Sequence, residues 1–514
     1  MQRGGTHPRR GDATRRSPGS DATVGLRAGI FATLLVVFVV IRLVKAALWP
    51  FGGHVPTTWW DHVLVVGSIT WAAILPWALA DFAGWAIYRR RRTDALPDDV
   101  RLDRPVCFRV VARGDQPSVV VETVHRIFTV MAERPRFPFL VEVVTDLPVP
   151  GLPGDRVVRM VVDPGYATPR GATHKARALQ YALEHSEVDD RTWIVHLDEE
   201  SHLTPGVVDG IADHIARHDA EEVPAVGQGL ILYHRGLETN PLYTLADSIR
   251  VADDLGRFHF QYRLHRMLFG MHGSFVVVRT DVEKLVGWDL PPEACITEDT
   301  TWSLLQMEAG TRFAWVDGHL VEQSPQTALD FLRQRRRWFV GLWWGALHAP
   351  VRFRYRAALL VATAMWSIGW LALFYSVIRI FAGVLVPAPV AWLGDLVFAA
   401  YVTNYALGGW VSLADRAEPV ARRVRYLAMQ VLLVPWFAVL EAAAVVYAIV
   451  RPERGFHVVR KTLPTLRPVP TLAPTAARRA AAGLLRTQRP DLEPAVETEA
   501  AEDEAPPAVG DRAS

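Results

Sequence analysis

Long apolar segments lie at both ends of this chain of 514 residues and enclose a more polar middle. Two of them, 25–47 and 62–88, precede the middle, and two others, 357–382 and 389–413, follow it. A helix needs about 20 apolar residues to cross a bilayer, and each segment is long enough. The sequence therefore predicts a membrane protein in which a separate domain is inserted between transmembrane helices.

A fifth apolar segment, 427–450, is harder to interpret. It is long enough to cross, but Pro435 and Glu441 interrupt it, and arginines lie on both of its flanks. Basic residues accumulate on the cytosolic side of a membrane, and one crossing cannot put both flanks there. We therefore expect an interfacial or re-entrant helix broken at Pro435, and four crossings in total.

Charge at the first apolar pair predicts the orientation. Arginines precede the first segment and occupy 89–92 after the second, so the N-terminus and everything after Arg92 should face the cytosol. Cys107 and Cys295 are the only cysteines, which implies no disulfide framework and suits a reducing compartment. We expect an integral protein of the cell membrane with a cytosolic middle domain.

Between 100 and 325 short β-branched runs alternate with amphipathic stretches, a pattern typical of an α/β fold with a largely parallel sheet. The predicted strands are 107–112, 139–145, 157–162, 193–197, 225–232, 274–279 and 312–316. The predicted helices include 117–132, 172–185 and 205–218. The predicted domains are a disordered basic tail 1–24, a transmembrane hairpin 25–92, a cytosolic domain 100–325, an amphipathic region 326–350, a second transmembrane region 351–465 and a disordered tail 466–514.

Ligands of such sheets bind beyond the carboxyl ends of the strands, where Asp146 and Asp198 are predicted to lie. Asp198 and Glu200 follow one strand and offer hard oxygen ligands for Mg²⁺ or Mn²⁺. Mg²⁺ sites typically combine one or two carboxylates with substrate phosphates, so the pair suits a nucleotide-diphosphate substrate. The alternative is an acidic turn that caps the following helix.

Thr297-Glu298-Asp299 precedes a predicted helix at 301–308. A carboxylate at that position can remove a proton from an acceptor hydroxyl, which is the work of a general base. It can equally be an acid that stabilises the N-terminus of the helix through the macrodipole. The residues alone leave both interpretations open.

Gln334-Arg335-Arg336-Arg337-Trp338 lies on a helical stretch within 326–350. One interpretation is a juxtamembrane helix whose arginines contact anionic headgroups. The other makes Arg337 a ligand of a diphosphate and Trp338 part of the wall of an acceptor site. Both interpretations can hold together. The arginines of the C-terminal tail are scattered, and nothing predicts binding to nucleic acid.

These three clusters, in this order, resemble the Asp-x-Asp, Thr/Ser-Glu-Asp and Gln-x-x-Arg-Trp motifs of family 2 glycosyltransferases. Longer stretches are similar to the egghead-type β-1,4-mannosyltransferases within that family. The shared stretches are 107–115, 175–181, 193–200, 227–231, 244–248 and 324–332. The resemblance covers 100–345 well and the flanking segments only in their layout.

The resemblance implies a GT-A domain of Rossmann-like α/β fold and an inverting transferase that uses GDP-mannose and a divalent metal, Mn²⁺ or Mg²⁺. The acceptor it implies is lipid-linked or a glycan. By the family pattern Asp299 would be the catalytic base, and Asp198 and Glu200 would hold the metal. The nucleotide side would be formed by Asp115, Asp146, Lys175 and Asp198, and the diphosphate and acceptor side by Gln334, Arg337 and Trp338.

Two alternatives remain open from the sequence. Phe456-His-Val-Val-Arg-Lys461 resembles the Phe-x-Val-Thr-x-Lys gating loop of cellulose-synthase-like enzymes, with Val459 in place of Thr. That motif and the several spans favour a processive polysaccharide synthase that uses a UDP-sugar. A catalytically inactive membrane scaffold or transport component is the alternative of another class, although the expected acidic and cationic site positions are all filled by such residues.

Overall fold

The computed structural model describes residues 18–48, 53–88, 100–154, 156–233, 240–413, 420–452 and 461. Its helices are α1 (Pro18–Leu48), α2 (Trp59–Ser68), α3 (Leu75–Ile87), α4 (Pro117–Glu133), α5 (His174–His185), α6 (Pro205–Asp219), α7 (Pro241–Asp253), α8 (His259–Arg263), α9 (Thr280–Lys284), α10 (Glu298–Glu308), α11 (Ala328–His348), α12 (Phe353–Phe381), α13 (Ala388–Ser412) and α14 (Val420–Val450). A 3₁₀ segment, Ile69–Ile74, joins α2 to α3, and a π-helical segment, Asp254–Phe258, joins α7 to α8. The strands are β1 (Val106–Ala112), β2 (Phe139–Thr145), β3 (Val157–Val161), β4 (Trp193–Asp198), β5 (Val226–Leu232), β6 (Val276–Arg279) and β7 (Phe313–Val321).

The seven strands form one sheet in the order β3-β2-β1-β4-β6-β5-β7. Strand β6 runs antiparallel to both β4 and β5, and the other paired strands are parallel. The predicted α/β fold and all seven predicted strands are confirmed, and the sheet is largely parallel as expected. The reversal of β6 was not predicted, and it matters because the start of β6 meets the carboxyl ends of its neighbours.

Both faces of the sheet are covered, which explains the continuous apolar runs in its central strands. On β1, Phe108 and Val110 pack into one core with side chains of α4 and α6. Cys107 and Val111 face the other way and pack with side chains of α5 and α10. Alternate residues of the strand thus supply two cores. Both cysteines, Cys107 and Cys295, are buried and free.

Five helical segments of the described chain are long and apolar enough to cross a membrane. They are Gly29–Ala47, Trp59–Ile87, Phe353–Phe381, Ala388–Ser412 and Val420–Val450. The predicted segments 25–47, 62–88, 357–382 and 389–413 lie within or close to the first four. Helix α1 begins at Pro18, inside the segment 1–24, and the disorder of that tail stays a prediction. The rest of that tail and the tail 466–514 lie outside the described residues.

The prediction of a helix broken at Pro435 is wrong. Helix α14 runs without interruption over 31 residues with Pro435 inside it. Proline removes one backbone hydrogen bond, but packing of the surrounding residues can compensate, as happens in many membrane helices. Val434 and Phe437, on either side of the proline, are buried against α7, α11 and α13. Four crossings as the total stays a prediction.

The apolar helices are joined to the sheet domain by close backbone contacts. A Cβ atom on Gly84 of α3 would lie 1.8 Å from the carbonyl oxygen of Gly256, inside the π-helical segment. A Cβ atom on Gly408 of α13 would lie 1.7 Å from the carbonyl oxygen of Ser248 in α7. Only glycine permits such approaches. The buried Asp81 of α3 adds a hydrogen bond from the backbone N–H of Arg257, at 2.9 Å.

Helix α11 is a single helix where the sequence predicted an amphipathic region at 326–350. Its Arg335 and Arg336 are buried inside the protein. Arg335 donates to Asp247 at 2.5 Å and to Glu441 of α14 at 3.0 Å, while Arg336 donates to Tyr447 at 3.2 Å. These two arginines bind protein groups, so the interpretation that they contact lipid headgroups is wrong for them.

Candidate active site

A cavity of about 1090 Å³ opens at the carboxyl edge of the sheet and extends between the apolar helices. The parallel strands end at this edge, so the residues after β2, β4, β5 and β7 reach it. Because β6 is reversed, the residues that precede it arrive at the same edge. The cavity lining accordingly includes Asp146, Asp198, Tyr233, Glu322 and the segment 272–274.

Lys175, in the first turn of α5, ties the centre of the site together. Its ammonium group donates to Asp198 and, at 2.7 Å, to the carbonyl oxygen of Gly273, and it lies 3.9 Å from Glu298 Oε1. Burial would lower the pKa of Lys175, but Asp198 and Glu298 hold it above its usual value. Burial likewise opposes ionisation of Asp198, yet Lys175 keeps its pKa below the usual value. Lysine and carboxylate are therefore a charged pair.

Asp299 lies beside this pair, at the start of α10. Burial raises the pKa of Asp299, and burial together with Asp299 raises the pKa of Glu298 to about 7. The backbone N–H of Thr300 donates to Asp299 Oδ1 at 2.6 Å, which leaves Oδ2 toward Gly273. A carboxylate with a raised pKa in a buried site is suited to accept a proton near neutral pH.

Gly273 makes room for these groups. A Cβ atom there would lie 3.1 Å from Lys175 Nζ, 3.2 Å from Asp299 Oδ2 and 3.5 Å from Glu298 Oε1. The absence of a side chain lets the backbone pass through the centre of the site and accept the hydrogen bond from Lys175. Nothing in the spacing of the sequence marked this glycine.

The second predicted metal carboxylate, Glu200, forms an ion pair with Lys461, whose Nζ lies 2.5 Å from Oε1. Two further acids crowd the same region. Burial and the charges of Asp198 and Glu200 raise the pKa of Glu322 to about 7, and burial and Glu200 raise the pKa of Glu199 to about 8. Residues 456–460 of the predicted gating loop lie outside the described chain.

The residues Gln334, Arg337 and Trp338 of α11 all line the cavity. Burial opposes the ionisation of Asp198, Glu298 and Asp299, and the positive charge of Arg337 acts against that effect on the pKa of each. The Trp338 ring contacts two guanidinium groups, whose carbon atoms lie 4.5 Å (Arg250) and 4.6 Å (Arg335) from the ring centroid. These contacts fix the orientation of the indole.

The two remaining predicted residues differ. Asp146 lines the cavity and accepts a hydrogen bond from Arg177 at 2.9 Å. Asp115 is not in the cavity lining. Its Oδ2 atom lies 3.6 Å from Nη1 of Arg113, and Arg113 does line the cavity. The structure thus brings together all the predicted site residues except Asp115, whose nucleotide-binding role stays a prediction.

Several cavity residues were not among the predicted site residues. Glu322 and Tyr233 follow β7 and β5, so the rule that ligands bind at carboxyl strand ends would have found them. The GMHGS segment (270–274) carries no such signal, because its position depends on the reversal of β6. Arg250, on α7, also lines the cavity, and its guanidinium carbon lies 4.4 Å from the centroid of the Tyr233 ring and 4.5 Å from that of Trp338.

The carboxylates fit a divalent cation only in combination with a substrate. Among the residues that the structure describes, no group of three or more His, Cys, Asp or Glu side chains is arranged to hold a metal by itself. Asp198 and Glu200 offer hard oxygens, and each is now neutralised by a lysine. Two carboxylates completed by diphosphate oxygens are a usual Mg²⁺ arrangement, so the donor set suits such an ion.

Comparison with known proteins identifies the family. Residues 193–411 match the model of glycosyl transferase family group 2. The chain is also 33% identical over 418 residues to the β-1,4-mannosyltransferase bre-3 of Caenorhabditis elegans, an overlap that covers 79% of this chain and 90% of that protein. The chain belongs to the family 2 glycosyltransferases. It is an enzyme of that class, as the sequence predicted, and the inactive-scaffold alternative is therefore wrong.

Two further comparisons describe the relatives of this transferase. It is 34% identical over 410 residues to the β-1,4-mannosyltransferase egh of Drosophila melanogaster, which covers 77% of this chain and 86% of that one. The mannosyltransferase PcManGT from Pyrobaculum calidifontis, solved with GDP-Man and Mn²⁺, is a structural neighbour. That match has 15% identity and a TM-score of 0.38, and it covers 74% of this chain and 98% of that one. The predicted fold class, a GT-A-type α/β domain flanked by apolar helices, is confirmed.

Proposed function

We propose that this glycosyltransferase is an inverting β-1,4-mannosyltransferase of the membrane that moves mannose from GDP-mannose to a lipid-linked or glycan acceptor. The named activity of relatives at 33–34% identity supports the sugar and the linkage. The observation that carries the proposal is the cavity itself. It joins buried acids and cations at the sheet edge to an apolar chamber between the helices.

The reaction is a single displacement. The acceptor hydroxyl oxygen attacks the anomeric carbon of mannose, the bond from that carbon to the diphosphate oxygen breaks, and GDP leaves. Asp299 takes the hydroxyl proton as the new glycosidic bond forms, because burial raises its pKa, it lines the cavity and its Oδ2 lies toward Gly273 at the centre of the site. A base positioned in this way typically contributes about 10²–10⁴-fold to the rate.

The donor occupies the sheet edge in this proposal. Asp115 and Asp146 contact the nucleoside, and Lys175 and Arg337 lie where they neutralise the diphosphate. Asp198 and Glu200 would hold Mn²⁺ or Mg²⁺, which would supply positive charge for the departing diphosphate. Gln334 and Trp338, on α11, form the wall between the diphosphate and the acceptor.

The acceptor side favours an amphiphile. Beyond the catalytic carboxylates the cavity is lined by apolar side chains of α12 and α13, among them Met365, Leu373, Val377, Val390 and Phe398. A hydrocarbon chain bound against this surface would displace water. Each Å² of apolar surface buried in this way would stabilise binding by about 25 cal/mol. A lipid-linked acceptor thus explains the chamber better than a soluble glycan does.

The orientation is part of the proposal. Arginines outside both ends of the first apolar pair put the N-terminus and the sheet domain on the cytosolic side of the cell membrane, by the positive-inside rule. GDP-mannose is expected on that side, where the edge of the sheet would meet it.

One observation favours a second candidate, a processive synthase that uses a UDP-sugar. Lys461, the last residue of the gating-loop-like segment, reaches the acidic edge of the site and pairs with Glu200. The proposal of a single mannosyl transfer rests on the named activity of the relatives. The length of the product and the identity of the donor distinguish a single transfer from processive synthesis.

Membranes that contain the protein are supplied with GDP-mannose, UDP-glucose or UDP-GlcNAc, with and without Mn²⁺, and the lipid extract is analysed for added sugar. The proposal expects one mannose per acceptor, only from GDP-mannose, and loss of the product in excess chelator. Asp299→Asn membranes provide the matched control. Polymer made from a UDP-sugar would reject the proposal in favour of the synthase.

A further inference from the structure

A group of charged side chains lies among the apolar helices, at the end of the helix bundle that is remote from the sheet. Helix α12 starts beside the sheet domain, where Arg352 donates to Glu308 of α10 at 2.6 Å, and it ends far from that domain. The ends of α1 and α12 and the first turns of α13 meet there. We call this group the remote cluster and define it by Arg42, Lys45, Arg379 and Asp395. The catalytic proposal above uses none of these residues.

Positive charge exceeds negative charge in the remote cluster. The carboxylate of Asp395 accepts from Arg42 at 3.0 Å and from Lys45, and its side chain is 2% exposed. One buried carboxylate thus faces two cations that come from the same helix, α1. Arg379 of α12 adds a third cation, and both Arg379 and Asp395 line the cavity at this end. The cluster therefore needs further negative charge to be neutral.

The guanidinium group of Arg379 is incompletely paired. Its Nη1 donates to the carbonyl oxygen of Val384 at 2.7 Å. Its Nε has no hydrogen-bond partner among the described residues, although the residue is 9% exposed. Buried polar atoms are nearly always paired in folded proteins, so this N–H group is available to an acceptor from outside the described chain.

The position of the cluster makes its surplus charge costly. Arg42, Lys45 and Arg379 belong to segments that are long and apolar enough to cross a membrane, where charged residues are rare and are usually paired. Lys45 and Arg379 each lie within about 5 Å of the end of their helix, at 1.5 Å per residue. In a bilayer this depth is close to the level of the headgroups, where phosphate is the abundant anion.

Exposed apolar side chains flank the cluster on two helices. They are Val39 and Leu43 of α1 and Trp392 and Leu396 of α13. The guanidinium carbon of Arg42 lies 5.1 Å from the centroid of the Trp392 ring. A molecule that binds here therefore meets cations at one point and apolar surface beside it, which is the pattern that an amphiphile fits.

We propose that the remote cluster binds the headgroup of a phospholipid with a net negative charge. The phosphate oxygens accept hydrogen bonds from Arg379 and Lys45, and the acyl chains lie along the apolar surface of α1 and α13. Guanidinium groups suit this role because their N–H groups match the spacing of phosphate oxygens. The inference rests on the membrane location in the proposed function and is independent of the reaction. The apolar flanks favour a lipid over a free anion.

This lipid is distinct from the acceptor. Leu359 lines the cavity near the sheet and packs in one core with Trp302 and Leu304 of α10. Arg379 lines it about 30 Å farther along the axis of α12. A headgroup at the remote cluster is therefore far from the catalytic carboxylates. Its binding links α1 to α12 and α13, so it stabilises the helix bundle.

The test measures binding of phosphatidylglycerol to the full chain in uncharged detergent, without donor or acceptor, by native mass spectrometry of the retained lipid. Arg379→Gln and Lys45→Gln should each raise Kd about tenfold, as the loss of one charge-assisted hydrogen bond predicts. Asp395→Asn should lower Kd several-fold, because the competing carboxylate charge is removed. Arg354→Gln is the matched control: it removes an exposed arginine from the other end of α12, outside the cavity lining, and should leave Kd unchanged.

Two further ligands test the class of the occupant. The parent should retain dioleoylglycerol, which lacks phosphate, much more weakly than phosphatidylglycerol, and equal retention would overturn the inference without any variant. Displacement of the lipid by an equal concentration of inorganic phosphate would also overturn it, in favour of a free-anion site. So would an unchanged Kd in both glutamine variants.

Binding of GDP to each variant provides the check on folding, because the remote cluster lies far from the donor site. The two proposals fail in different ways. A parent that binds phosphatidylglycerol but transfers no mannose would reject the proposed function and leave the lipid site standing. A parent that transfers mannose but does not retain phosphatidylglycerol would overturn the lipid site alone.

Discussion

Lys461 forms an ion pair with Glu200 across 2.5 Å, although 261 residues separate them in the chain. Glu200 is one of the two carboxylates proposed to hold the metal, and its partner in this structure is an ammonium group. Burial would lower the pKa of Lys461, but Glu200 raises it, so the lysine stays charged. A divalent ion that binds Glu200 has to displace this lysine.

Lys461→Met should therefore tighten metal binding. With the competing ammonium removed, Glu200 keeps its charge and lacks its partner, so the Mn²⁺ concentration for half-saturation should fall several-fold. Electron paramagnetic resonance of free Mn²⁺ in the presence of GDP measures this. Weaker Mn²⁺ binding in the variant would mean that Lys461 assists the metal site, which contradicts competition.

Asp299→Asn should lower the rate of mannosyl transfer by about 10²–10⁴-fold, because an amide cannot take the acceptor proton. The affinity for GDP-mannose should change far less, since the proposed metal and diphosphate contacts lie on Asp198, Glu200 and Arg337. Asparagine can still accept the Thr300 N–H that Asp299 Oδ1 accepts now. Transfer that survives the substitution would show that Asp299 only stabilises the start of α10.

Gly273→Ala should reduce transfer about tenfold or more without unfolding the protein. The added methyl group would lie 3.1 Å from Lys175 Nζ and 3.2 Å from Asp299 Oδ2, so both groups must shift from their positions. Gly206→Ala is the matched control, because a Cβ atom there meets nothing within 4 Å. Equal rates for the two variants would contradict the close packing around Gly273.

Acid should destabilise the fold through Glu283. Burial would raise the pKa of this carboxyl, but His196 and Arg109 hold it at about 2, below the ordinary 4.5. A lowered carboxyl pKa contributes stability that is complete above about pH 4.5 and is lost as the pH falls toward 2. The thermal midpoint of the parent protein should fall as the pH is lowered from about 4.5 toward 2. The midpoint of Glu283→Gln should vary less over the same range.

At neutral pH Glu283→Gln should itself be less stable than the parent, by about 3–5 kcal/mol, because it leaves the buried Arg109 short of one partner. Glu133→Gln, at the exposed end of α4, is the control and should change the midpoint little. Parallel pH curves for the parent and Glu283→Gln would contradict the role of this carboxylate.

Cysteine labelling tests the orientation. Cys107 and Cys295 are buried, so an impermeant maleimide should not label the parent protein. In intact cells a Val55→Cys protein should react and an Ala95→Cys protein should not, while opened membranes should allow both. Val55 is 69% exposed, and position 95 lies outside the described residues. Labelling of intact cells at 95 but not at 55 would reverse the proposed topology.

Local patterns in the sequence determined much of this architecture. The β-branched runs predicted all seven strands, and the apolar lengths predicted the helices that flank the domain. Asp146 and Asp198 were expected at the carboxyl edge of the sheet because each lies at the carboxyl end of a predicted parallel strand. These features depend on a few neighbouring residues, which is why the sequence alone reveals them.

Tertiary structure decided the features that depend on distant partners. The reversal of β6 brings His272 and Gly273 to the catalytic edge, and it depends on pairing with β4 and β5. The packing of Val434 and Phe437 against other helices keeps α14 continuous through Pro435, against the local preference of proline. Arg335 is buried because Asp247 and Glu441 reach it from two other helices. Each outcome is set by contacts between residues far apart in the chain, and no local pattern encodes which of them will meet.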